Sequence, residues 1–198
     1  MAATSFAFRP VTLDDWADLP EDDDRELVDG VLVEAEMPNT LHEFVFAWLF
    51  RLLGAWTVSH GAMLFGSGLK FVVGRERGRM PDMSIFLTGQ KRPPVLGVTR
   101  TPPSIAVEIV LSSANDERRD RIHKFAEYEQ FGVPWYWLID PELRSFEIFE
   151  LGTNGKYMRM VAATEGTIDA VPGCPELTLD VSALWRDLDA YIAEAGEE

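Results

Sequence analysis

The sequence has no apolar run near the ~18–20 residues that a bilayer-spanning helix needs, so no membrane partner is expected. Its only cysteine, Cys174, excludes an internal disulfide and a cysteine zinc cluster. A reducing, cytoplasmic setting fits that count. The opening residues lack a basic start followed by an apolar stretch, so no signal peptide is expected. There is no internal repeat and no low-complexity linker. A Gly-rich phosphate loop leading into a helix is also missing, because Gly66-Ser67-Gly68 lies between strand-like runs. That ranks a hydrolase of small phosphorylated molecules low.

Positive charge is scarce: 18 Lys and Arg stand against 33 Asp and Glu in 198 residues, a net charge of −15. Taken whole, that opposes nucleic-acid binding, which is largely electrostatic. The acid is concentrated at the ends, however. Residues 14–29 hold nine acids and one Arg, and residues 187–198 hold five acids and no base. Residues 70–100 carry seven bases against Glu76 and Asp82. A second basic group, Arg118, Arg119, Arg121 and Lys124, surrounds Asp120. The centre of the chain can therefore present a local positive field.

The length suits one domain over 1–198, with 1–25 an acidic arm and 181–198 a C-terminal helix and acidic tail. Thr12 caps a short helix over Leu13–Trp16. Residues 26–36 read as a hairpin about Asp29-Gly30. Thr40 and Glu43 make a capping-box pattern before a helix. Its apolar face is Leu41, Phe44, Val45, Trp48, Leu49, Leu52, Leu53 and Trp56, and Gly61 ends it. Residues 62–73 suggest one strand bent at Gly66 and Gly68, and 74–79 (GRERGR) a polar basic loop. A strand runs from Pro81 to Leu87, then a loop over 88–103. Residues 104–111 (SIAVEIVL) form a central strand covered on both faces. A helix over Asp116–Phe131 has a buried face of Ile122, Phe125 and Ala126. The strand WYWLID (135–140), a hairpin over 145–151 and 156–163, a strand near 176–180 and a helix from Ser182 to Ala193 follow. The fold class is α/β, a mixed central sheet flanked by helices, with an N-terminal hairpin and C-terminal strands.

Glu108 is the most informative residue, since a carboxylate inside an apolar strand is costly unless a cation or hydrogen-bond donor meets it. Asp82, after Pro81 at the start of a strand, makes a similar demand. By itself Asp82 reads equally as a turn or capping carboxylate, and Glu108 less readily as a strand-end carboxylate facing water or paired with an arginine. Two carboxylates on adjacent strands repel unless a cation bridges them, and a hard divalent ion, Mg²⁺ or Mn²⁺, suits oxygen ligands. Asp120, Lys124 and Tyr128 form an i, i+4, i+8 stripe, so Lys124 can bring an ammonium to the same place. On helix pattern alone the favoured reading is a solvated lysine paired with Asp120.

The segments RELVDGVLVEAE, NTLHEFVFAWLFRLL, RMPDMSIFL, SIAVEIVLSS and RDRIHKFAEYEQFGVPWYWLIDP resemble the Uma-type restriction endonucleases of the PD-(D/E)XK superfamily, from about residue 11 to 185. The most specific piece is D-x-x-x-K-x-x-x-Y followed by Gly-Val and Tyr-Trp-Leu-Ile-Asp-Pro. The resemblance implies that Asp82 and Glu108 are catalytic acids binding Mg²⁺, with the Ile109 carbonyl a further metal ligand. Val110 holds the position usual for the lysine, and the following helix supplies Lys124 instead. The resemblance also implies that Glu26 completes the metal site and that His42, where the family often carries a histidine, is a substrate-binding residue. Asp140 matches the family as well, but reads better as a turn residue before Pro141. Ser112-Ser113 replaces the usual serine-proline.

The expected function is metal-dependent endonuclease cleavage of nucleic acid, DNA before RNA, with Arg75, Arg77, Arg79 and residues 118–121, Arg121 among them, on the flanking phosphates. A homodimer is expected, since two symmetric subunits cut two strands. The alternative is a catalytically inactive nuclease-fold module for protein contact, which the acidic arm and tail favour. The six Trp read as core packing, Trp48 and Trp56 in particular.

Overall fold

The computed structural model describes residues 9–20, 23–34, 38–110 and 119–196, with side chains from 122 onward in the last segment. The elements are α1 (Leu13–Ala17), β1 (Glu26–Val28), β2 (Val31–Val33), α2 (Thr40–His60), β3 (Met63–Phe65), β4 (Phe71–Gly74), β5 (Arg77–Arg79), β6 (Met83–Phe86) and β7 (Ile105–Ile109). A π-helical turn (Arg119–Lys124) runs into α3 (Phe125–Phe131). Then come β8 (Trp135–Asp140), β9 (Ser145–Leu151), β10 (Tyr157–Ala163), β11 (Thr167–Ile168), β12 (Leu179–Asp180) and α4 (Val181–Ala195).

A six-stranded mixed sheet, in the order β10-β9-β8-β7-β6-β3, forms the centre. Its β7–β8 pair is parallel and the rest antiparallel. The crossover between β7 and β8 runs through the π-turn and α3, the connection that parallel neighbours require. Helices α2 and α4 contribute to one core with Met83, Ile85, Val107 and Ile109. On the other face Phe86, Ala106 and Val110 pack with Tyr128 of α3. The expected α/β architecture is thus the observed one.

Thr12 and Asp15 cap α1 reciprocally. Asp29 and Gly30 both take positive φ, as a tight two-residue hairpin turn demands. The cap of α2 lies one residue before the expected one: Asn39 accepts from the His42 amide at 3.0 Å, and Thr40 is already helical. The expected strand over 62–73 is two strands in different sheets, β3 beside β6 and β4 beside β5. The expected basic loop over 74–79 contains β5, which pairs with both β1 and β4 in a four-stranded sheet, β2-β1-β5-β4. Of the three arginines only Arg79 is buried, and two carboxylates, Glu26 and Glu127, accompany it into the interior. Trp16 of α1 lies flat on Gly78 of β5, where a Cβ would sit 2.4 Å from the indole.

The helix before β8 also differs. Ile122 and Ala126 are exposed and Phe125 half-buried, while Lys124, Glu127 and Tyr128 are buried. The helix turns its ionisable stripe inward because partners for those groups wait on the sheets. Residues 116–118 of the expected helix lie outside the described residues. Among the described residues, no helix is long and apolar enough to cross a membrane.

Candidate active site

Met83 pairs with Val107, so the next position outward sets Asp82 against Glu108. Opposed residues of an antiparallel pair have Cα atoms about 4.5–5.5 Å apart. Asp82 sits at the mouth of the sheet. Its Oδ2 accepts from the Ile109 amide at 2.7 Å, and its Oδ1 lies 3.1 Å from His42 Nε2 in the first turn of α2.

The Ile109 carbonyl is available for a definite reason. Val110 N–H donates to Ile139, so even-numbered peptide groups of β7 serve β8 and odd-numbered ones serve β6. Continuing that register sets Ile109 opposite Pro81. A proline nitrogen carries no hydrogen, so β6 offers the Ile109 carbonyl no donor.

Glu108 is only 2% exposed in the middle of the central sheet. Lys124 Nζ donates to its Oε2 at 2.8 Å and the Tyr128 hydroxyl to its Oε1 at 2.7 Å. Burial pushes the Tyr128 hydroxyl well above its ordinary pKa, and the Glu108 charge adds to this, so Tyr128 stays a donor.

Glu26, at the start of β1, closes the site from the second sheet. Its Oε1 lies 3.7 Å from Lys124 and accepts from the Met80 amide at 3.1 Å, while Oε2 accepts from Arg79 at 2.7 Å. Burial works against the Glu26 charge, but the cations of Lys124 and Arg79 outweigh it and hold the carboxyl below its usual range. For His42, burial disfavours the imidazolium, yet the Asp82 hydrogen bond and charge, with that of Glu43, raise its pKa.

The expected residues, scattered from residue 26 to 124, fall in two adjoining groups: Asp82 with His42 and the Ile109 amide, and Glu108 with Lys124, Tyr128 and, through Lys124, Glu26, the two joined where Glu108 and Ile109 adjoin on β7. Arg79 does not serve as expected. It is 1% exposed and lies between Glu26 and Glu127, so it cannot meet an incoming phosphate. Arg77 is engaged by Asp29 and Glu127. Arg121 lies in the π-turn, its side chain not among those described. Arg118 and Ser112-Ser113 lie outside the described residues. Asp140 accepts from the amides of Glu142 and Leu143, the turn role expected of it.

Sequence reasoning missed Glu127 and gave Tyr128 no task. The signal was there: Lys124, Glu127 and Tyr128 fall at i, i+3, i+4, one face of one helix. Among the described residues, no three His, Cys, Asp or Glu side chains gather closely enough to hold a metal ion by themselves. The donors here are two carboxylates and a peptide oxygen, a hard set that suits Mg²⁺, which keeps waters and takes one or two carboxylates.

The family model Uma2, described as "Putative restriction endonuclease", matches residues 11–182. No curated protein matches the chain. Among solved structures, the fold is similar to that of a putative nuclease belonging to DUF820 from Anabaena variabilis. The TM-score is 0.72 at 20% identity, covering 89% of this chain and 98% of that one. That likeness is one of fold. The family match spans every side chain gathered at the site, and by it the chain belongs to the Uma2 family of restriction-endonuclease-like nucleases.

Proposed function

We propose that this protein is a metal-dependent endonuclease acting on DNA, with Asp82, Glu108 and the Ile109 carbonyl holding Mg²⁺ or Mn²⁺. The observation that carries the reading is Glu108, a buried carboxylate in the central strand met by the Lys124 ammonium and set opposite Asp82. When bound, the cation supplies charge that lowers the pKa of a water and offsets charge on the phosphate. The rest falls to the chain. Lys124, within reach of both Glu108 and Glu26, positions the attacking water and stabilises the developing oxyanion. The water oxygen bonds to phosphorus as its proton passes to solvent, the ester P–O bond breaks, and the leaving oxygen takes a proton from solvent. Glu26 keeps a negative charge beside Lys124, so that the lysine remains an ammonium. His42 orients Asp82 and, when protonated, adds positive charge on the substrate side. A homodimer suits cleavage of both strands.

The test is nicking of supercoiled DNA by the wild type, Glu108→Ala and Lys124→Ala, with and without Mg²⁺. Nicking should require the metal and be lost in both variants while circular dichroism stays native. Cleavage retained by a folded Glu108→Ala protein overturns the assignment.

A second reading keeps the fold without the chemistry, as an interaction module. It is favoured by the engagement of both Glu108 oxygens by Lys124 and Tyr128. Calorimetric titration with Mn²⁺ separates the two: no heat at millimolar metal supports the module.

A further inference from the structure

The nuclease reading needs cations for the substrate backbone, and two of the expected ones, Arg77 and Arg79, are held by carboxylates. Among the exposed basic side chains of the described residues, those with no carboxylate at ion-pair distance are Arg51, Arg75, Lys91, Arg92 and Arg100. Three of these five lie on one loop, the connection from β6 to β7. Between Asp82 and Glu108 the chain has no acidic residue at all, although it carries 33 elsewhere. The tip of the same loop exposes Val95 at 98% and Leu96 at 80%. Two adjacent aliphatic side chains in water, framed by unpaired cations, are what a contact surface looks like before its partner arrives.

We propose that this loop is a second nucleic-acid contact, with Lys91, Arg92 and Arg100 on phosphates and the Val95-Leu96 tip wedged into a groove of the duplex. The inference rests on the nuclease reading and extends it to how duplex is held. Charge complementarity selects the occupant: phosphates meet a cationic, acid-free segment, and an apolar wedge between basic residues is a recurrent device for prising base steps apart. The loop is built to hold its shape. Thr99 is pinned to β4, with Thr99 N–H donating to Lys70 at 2.7 Å and Val72 N–H to Thr99 at 2.9 Å. Gln90 ties the two ends together through the Pro102 carbonyl at 2.7 Å. Pro93-Pro94 and Pro102-Pro103 restrict the backbone between, so less order is lost on binding.

The loop leaves β6 at the end away from Asp82. The four residues of β6 lie between Asp82 and Leu87, five residue steps or about 17 Å at the usual rise.

The test uses the full-length chain with a fluorescent 24-base-pair duplex, without divalent metal so that nothing is cut, over a range of salt. The Lys91→Ala/Arg92→Ala/Arg100→Ala variant should bind at least ~10-fold more weakly at low salt, with the slope of log K against log salt reduced by up to ~2.7. The Val95→Ser/Leu96→Ser variant should weaken binding at an unchanged slope and lessen duplex bending read by energy transfer. Both should keep the wild-type urea midpoint. Wild type that binds duplex while both variants match it in affinity and slope overturns the loop but spares the nuclease reading. Wild type that binds no duplex at low salt sinks both. Loop-dependent sedimentation with anionic phosphatidylserine vesicles, alongside loop-independent duplex binding, overturns the proposal in favour of a membrane surface.

Discussion

Replacing Arg79 by Met tests the interior of the site most directly. The guanidinium donates from Nη1 to Glu26 at 2.7 Å, and from Nε and Nη2 to Glu127 at 2.5 and 3.0 Å. Met fills similar space but leaves two buried carboxylates facing each other. Each keeps one cation, Lys124 at 3.7 Å from Glu26 and Arg77 on Glu127. The loss is therefore that of one partner from a buried ion network, about 3–5 kcal/mol. With a urea slope of about 2–3 kcal/mol per molar, the unfolding midpoint should fall by roughly 1–2.5 M. Tryptophan fluorescence reads the transition, with Trp16, Trp56, Trp137 and Trp185 all buried. Removing the charges together, as Glu26→Gln/Arg79→Met/Glu127→Gln, should recover much of the loss, because no bare carboxylate remains. The reasoning fails if Arg79→Met unfolds at the wild-type midpoint and instead lowers the salt dependence of DNA binding by about one phosphate. That result would return Arg79 to the substrate.

Gly78→Ala should destabilise by about 1–3 kcal/mol through overpacking against Trp16, and a companion Trp16→Phe change should relieve part of it in thermal melts. Tyr128→Phe should cost about 1–3 kcal/mol by leaving Glu108 Oε1 short of its 2.7 Å donor, read by urea unfolding. Glu26 makes stability acid-sensitive. Its folded pKa is depressed, so its contribution is fully present above its ordinary value of 4.5 and is lost as pH falls through the folded one. Urea midpoints between pH 6 and 3 should fall less steeply in Glu26→Gln than in the wild type; parallel profiles would remove Glu26 from that account.

Local pattern made much of the chain legible. The Asp29-Gly30 turn, the Gly61 end of α2 and the apolar run of β7 all follow from backbone preference and periodicity, which act between near neighbours. So did the question that Glu108 poses, since a carboxylate in such a strand must be answered. The answer was not local. That β5 is a strand, that Arg79 is interior rather than on the substrate side, and that α3 buries Lys124, Glu127 and Tyr128 while exposing Ile122 were settled only by the sheets coming together. Charge on a sequence carries no address. An arginine reads as solvated until a carboxylate some fifty residues away, Glu26 or Glu127, is found beside it, and only packing supplies that neighbour.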